Sequence, residues 1–128
     1  LREDVRRRFV FTRGAAFLTV SAKTGEGVSK ILPEADAVAR RSTLKLSTGE
    51  LNRVLKKAFE AQLPKGRSGR ELKIRYAVQI ASEPPLIRLF SDRDEPLHFA
   101  FERFLQNRLR EKWDLAGVPV KFVVRKGE

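Results

Sequence analysis

The sequence predicts two pieces in succession. First comes the closing strand, loop and helix of an α/β layer. An α+β domain follows, ordered helix-strand-strand-helix-strand, with a three-stranded sheet and both helices on one face. Three observations predict this. An apolar run at residues 15–20 sits directly ahead of a glycine-marked loop and an amphipathic stretch. Residues 72–81 alternate apolar and polar side chains at the period of a strand. Two further stretches, residues 51–59 and 97–113, carry apolar residues at helical spacing.

In chain order, residues 1–11 mix Val5, Phe9 and Val10 with Arg6, Arg7 and Arg8, which reads as a basic helix running into an extended piece. The arginine run is expected to be a solvated helix face. Arg13-Gly14 marks a turn. Residues 15–20 show little polar alternation, so they are expected to form a strand buried on both faces, as in a parallel sheet. After the loop, Val28, Ile31, Leu32, Ala35, Val38 and Ala39 fall on one helical face. Pro33 removes one backbone donor, so that helix kinks there or its regular part begins near it. Residues 40–46 form a basic connector and the expected domain boundary, dividing the chain into 1–46 and 47–128.

Ser47-Thr48-Gly49-Glu50 has the spacing of a capping box, in which a serine hydroxyl and a glutamate three residues on satisfy helix-start donors. Leu51, Val54, Leu55, Ala58 and Phe59 form the stripe that follows, and Pro64-Lys65-Gly66 ends the helix. The next strand would place Leu72, Ile74, Tyr76, Val78 and Ile80 on its apolar face. Pro84-Pro85 breaks it, and residues 86–90 make a second strand. The loop at 92–96 leads to a helix with Leu97, Phe101, Phe104, Leu105, Leu109 and Trp113 on one side, where core packing accounts for its aromatics. Gly117 is expected to end that helix, before a last strand alternating Val118, Val120, Phe122 and Val124 with polar residues. Two helix stripes need one sheet face to cover. The other face is then expected to be basic and wet, carrying Lys73, Arg75, Gln79, Arg88, Lys121 and Arg125.

Composition limits what such a chain does. Twenty-seven Lys and Arg stand against sixteen Asp and Glu in 128 residues, a net charge of +11. Such a field attracts phosphate backbones, acidic protein surfaces or anionic lipid, although charge also serves plain solubility. No apolar run is long enough to span a bilayer, and no secretory leader is visible. Cysteine is absent, which excludes disulfides and thiolate metal sites and suits a reducing cytoplasm. The single histidine, His98, is expected to pack or cap a helix and cannot build a metal cluster. The chain begins at Leu1 and has no methionine, so a longer parent is expected upstream.

Ser21-Ala22-Lys23 follows the apolar run at once and continues as Thr24-Gly25-Glu26-Gly27-Val28. This stretch resembles the fifth motif of the Era, MnmE and EngA (Der) GTPases, where a backbone N–H donates to the guanine carbonyl. Adenine offers no acceptor there, and leaving a buried donor unpaired costs about 1–3 kcal/mol. Leu51-Asn52-Arg53-Val54-Leu55, the run from Gly69 through Ala77, Pro84-Pro85, the run from Phe99 through Leu105, and Gly117 through Phe122 resemble the C-terminal domain of EngA. The resemblance covers essentially the whole chain, with its pieces in one order.

The resemblance implies that residues 1–46 close a P-loop GTPase domain and residues 47–128 form a KH-like domain. EngA proteins carry two GTPase domains ahead of that domain and assist maturation of the large ribosomal subunit. The implied cofactors are GTP or GDP with Mg²⁺ in the parent, and the implied partners are the large subunit, its rRNA and the GTPase domains in cis. A cytoplasmic monomer is expected. No phosphate loop or Asn-Lys-x-Asp motif is present, so this segment alone is expected neither to hydrolyse GTP nor to need a cofactor, and no catalytic or metal-binding residue is expected in it. Gly66-Arg67-Ser68-Gly69 spells the KH clamp, but it leads from a helix into a strand and reads as a turn, with Arg67 and Arg70 near phosphate through charge alone. Two other readings stay open: a stand-alone RNA-binding module, and a docking domain for an acidic protein.

Overall fold

The computed structural model describes residues 1–9 and 14–127. The expected extended piece at Val10 and Phe11, and Arg13 of the first turn, lie outside the described residues. Helix α1 (Arg2–Arg8) is short and buries nothing. A 3-10 turn (Val28–Lys30) leads into α2 (Ile31–Ser42), with Pro33 in the first turn, where its missing N–H costs no helical bond. Helix α3 (Thr48–Ala61), strands β1 (Ile74–Ala81) and β2 (Leu86–Ser91), helix α4 (Phe99–Lys112) and strand β3 (Lys121–Lys126) follow.

Strand order is β1-β2-β3, antiparallel across the first pair and parallel across the second. Leu51, Leu55 and Ala58 on α3 and Phe101, Leu105 and Leu109 on α4 are buried at helical intervals. They meet Ala77, Ile87, Leu89 and Val124 from the sheet. Each fully buried leucine contributes about 1.5–3 kcal/mol relative to exposure, so the helix stripes hold the two layers together. Among the described residues, the fully buried apolar side chains all lie at or beyond Leu46. Val20, Val28, Ile31 and Leu32 stay exposed, Leu32 at 79%.

Four expectations change in the structure. Residues 15–20 are irregular rather than a buried strand. A strand exists by hydrogen bonding to a neighbour, and no described segment pairs with this one. Strand β1 does not keep one face throughout. Ile74 pairs with Ser91 but Tyr76 pairs with Phe90, so a β-bulge adds one residue and reverses the alternation. Leu72 is buried ahead of the bulge, and Ala77 is buried after it.

Third, α4 stops at Lys112 instead of near Gly117, because Trp113 adopts an extended backbone, and β3 starts at Lys121 instead of Val118. Leu97 precedes the helix in a bridge with Gly66. Fourth, α3 starts after Ser47 as its capping spacing implies, yet the serine side chain makes no capping bond.

Candidate functional site

The loop after Val20 is held by its own backbone. Ser21 N–H donates to Glu26 O at 2.9 Å, and Gly25 N–H donates to Ser21 O at 2.7 Å. Thr24 N–H donates to Ser21 Oγ, and Glu26 N–H to Thr24 Oγ1. Gly27 closes the loop at φ +81°, with its Cα so near Thr19 that a Cβ would lie 2.2 Å from the Thr19 carbonyl oxygen. Only glycine fits there without strain. The N–H groups of Ala22 and Lys23 meet no acceptor among the described residues, and both residues are exposed. The loop therefore presents two backbone donors to whatever lies outside it.

The open face of the sheet differs from the expected basic one. Paired residues point the same way, so Tyr76 with Phe90, Val78 with Arg88, Arg88 with Val123, and Phe90 with Arg125 share the side away from the helices, as do Leu86 and Lys121. Tyr76 and Phe90 have ring centroids 6.1 Å apart, and Tyr76 is 48% exposed. Arg88, Lys121 and Arg125 thus lie together as expected, interleaved with apolar side chains, of which Tyr76 and Val78 were expected on the core face. The Nε of Arg88 is buried without an acceptor among the described residues.

Gln79 is not on that face. It pairs with Ile87, whose side chain is buried under the helices, and its amide is committed within the chain. Its Oε1 accepts from Leu46 N–H at 2.7 Å, and its Nε2 donates to Leu44 O and Ala81 O. Arg75 is exposed at the bulge, and Lys73 precedes β1, its N–H donating to Asp92 Oδ1 at 3.0 Å. Asn52, absent from the sequence reading as a functional residue, does for Ala77 what Gln79 does for the connector. Its Oδ1 accepts from Ala77 N–H, and its Nδ2 donates to Ala77 O. Two side-chain amides thus cover the free edge of β1.

The Gly66–Gly69 turn leads from α3 into the sheet, and an internal carboxylate fills it. Ser68 N–H donates to Glu95 Oε1 at 2.7 Å, and Arg93 Nε donates to Glu95 Oε2 at 2.8 Å. A Cβ on Gly66 would lie 2.4–2.7 Å from that carboxylate. Hydrogen bonds from Ser68 and Arg93 hold Glu95 down to about 2, well below an ordinary glutamate. Arg67 and Arg70 are exposed beside the turn, apart from the open sheet face. No local signal in the sequence ties Glu95 to a turn 27 residues upstream. His98 caps α4, its Nδ1 accepting from Ala100 N–H, as the sequence implied.

A three-stranded mixed sheet with both helices on one face, in the order helix-strand-strand-helix-strand, defines a small α+β domain of KH-like architecture. Residues 45–125 match the family model described as the KH-domain-like of EngA bacterial GTPase enzymes, C-terminal. The chain is 36% identical over 126 residues to GTPase Der of Moorella thermoacetica, covering 98% of this chain and 29% of that protein. It is 37% identical over 123 residues to GTPase Der of Citrifermentans bemidjiense, covering 96% of this chain and 28% of that protein. The chain belongs to the EngA family of bacterial GTPases and carries its C-terminal KH-like domain. It spans less than a third of the length of these curated relatives. Among the described residues, no helix is long and apolar enough to cross a membrane, and no three His, Cys, Asp or Glu residues group to hold a metal.

Proposed function

We propose that this chain is the end of a GTP-binding ribosome-assembly factor of the cytoplasm, acting in maturation of the large ribosomal subunit. On this reading residues 1–46 complete a GTPase domain and residues 47–128 are the KH-like domain that follows it. The observation that carries the reading is the self-bonded loop at Ser21, Ala22 and Lys23, with two backbone donors left for an outside acceptor. The guanine carbonyl is such an acceptor. Exposed Val20, Val28, Ile31 and Leu32 supply the apolar surface against which the rest of that domain would pack.

The chain's residues fit the base end of the nucleotide only. Mg²⁺ and the phosphates need a Gly-x-x-x-x-Gly-Lys-Ser/Thr loop, which this sequence lacks. When bound, the metal would neutralise phosphate charge, while Ala22 and Lys23 would select guanine over adenine.

The open sheet face docks on the GTPase domains in cis. Tyr76, Val78, Phe90 and Val123 would supply apolar contact there, and Arg88, Lys121 and Arg125 charge pairing. Lys73, Arg75, Arg67 and Arg70 lie at the margins, where phosphate or acidic side chains would reach them. GTP shifts such packing only by its difference in affinity for the two arrangements. Sedimentation of the full-length protein with large ribosomal subunits in GTP analogue, GDP or no nucleotide tests this. Strong co-sedimentation in one nucleotide state is expected, and equal co-sedimentation in all three overturns it.

A further inference from the structure

Helices α3 and α4 turn their buried stripes to the sheet, and their outer surfaces meet in a groove lined by Glu50, Arg53, Val54, Lys57 and Lys112. Phe59 stacks on Phe101 at 6.2 Å, so the end of α3 lies by the start of α4. The groove therefore joins the first half of α3 to the last turn of α4, on the side away from the sheet.

Arg53, Lys57 and Lys112 are exposed, and none pairs with a carboxylate among the described residues. Glu50 lies three residues from Arg53 and does not pair with it. Arg53 and Lys57 are four apart on one helix, a spacing at which like charges repel. Lys112 gains from the negative end of the α4 dipole, but Arg53 and Lys57, within α3, gain nothing comparable. An anion in the groove would relieve this repulsion.

The lining narrows the class of anion. Its one apolar residue is Val54, too little to anchor a protein partner, which usually needs a buried aromatic or aliphatic hot spot. It offers no aromatic ring for stacking, so single unpaired bases find no platform. Spaced, unpaired cations suit spaced phosphates. We propose that the α3–α4 groove binds the sugar–phosphate backbone of structured RNA through Arg53, Lys57 and Lys112. RNA then occupies the helix side of the domain, and the sheet side remains for the GTPase domains. This rests on the ribosomal reading above and assigns it a surface.

Binding of purified large-subunit rRNA to the full-length protein, measured across a potassium chloride series, tests the proposal. Each lost phosphate contact removes about 0.7–0.9 from the slope of log affinity against log salt. The R53Q/K57Q/K112Q variant is expected to lose about two units of slope and to bind roughly tenfold or more weakly at 0.1 M salt. The charge-preserving R53K/K57R/K112R variant should keep the wild-type slope. Its failure to do so, with thermal melting unchanged, overturns simple backbone contact. A wild-type slope in the glutamine variant overturns the proposal and leaves the ribosomal reading standing. So does an equal or larger drop in an R88Q/K121Q/R125Q variant, which would move RNA to the sheet face. Absence of rRNA binding by the wild-type protein overturns both.

Discussion

At the scale of single residues, the turn at Gly66 shows how one carboxylate decides what a loop binds. The loop has the spelling of a nucleic-acid clamp, yet Glu95 already takes the Ser68 N–H and the Arg93 guanidinium. The ionised form is the one held, so its folded pKa lies below the unfolded value. Glu95 therefore contributes its full stability above about pH 4.5 and loses it as pH falls toward 2. The E95Q variant should show a shallower fall of melting temperature through this window than the wild type. Parallel acid limbs in the two proteins would show that the loop does not hold the charge. Gly27 makes a second point. Its positive φ and the Thr19 carbonyl leave no room for a side chain, so G27A should cost about 1–3 kcal/mol locally. Faster hydrogen exchange at Gly25 and Glu26, without change in α4, is the expected sign.

At the scale of elements, most of the architecture was legible because periodicity reports burial. The stripes of α3 and α4 and the alternation of Val118, Val120 and Val124 all face the core as their spacing implies. Strand β1 misled because a bulge leaves no mark in composition. Tyr76 and Val78 read as core residues, and one inserted residue sends them to the open face. The run at residues 15–20 misled for another reason, since apolarity marks a strand only when a neighbour exists to pair with it. Of the candidate site, the Ser21 loop and the cluster of Arg88, Lys121 and Arg125 were legible. Gln79 was misplaced because an amide that bonds a distant connector looks, in sequence, like any polar residue on a wet face.

Asn52 satisfies both backbone groups of Ala77, which is 1% exposed. N52A would leave that donor and acceptor without partners, and one unsatisfied buried group costs about 1–3 kcal/mol. A urea midpoint lowered accordingly, with the m-value unchanged, is expected. N52D should recover only part of the loss, because a carboxylate accepts from Ala77 N–H but cannot donate to Ala77 O. Equal stability of N52A and wild type would mean that water covers this edge as well as the amide does.

At the scale of the whole molecule, the described residues ahead of Leu46 bury no side chain fully, yet Val38 and Leu44 pack against the core of the KH-like domain and hydrogen bonds fasten the segment to it. Arg41 supplies two of these bonds. Its Nε reaches Asp114 Oδ2 at 3.2 Å, and its guanidinium also donates to Ala116 O at 3.1 Å. Glu83 N–H donates to Ser42 O, and Gly117 N–H to Gly14 O. The Arg41–Asp114 ion pair itself is worth little, since Asp114 is 73% exposed and water screens it. The bond to the Ala116 carbonyl carries more, about 0.5–1.5 kcal/mol. R41A should therefore loosen α2 from the loop between α4 and β3 while sparing the sheet. Hydrogen exchange would show α2 amides exchanging several-fold faster, with α3 and α4 at wild-type rates. Equal acceleration in α2 and α4 would show instead that the two segments open as one cooperative unit, so that a nucleotide bound at the Ser21 loop would act on the KH-like domain through a rigid body rather than a hinge.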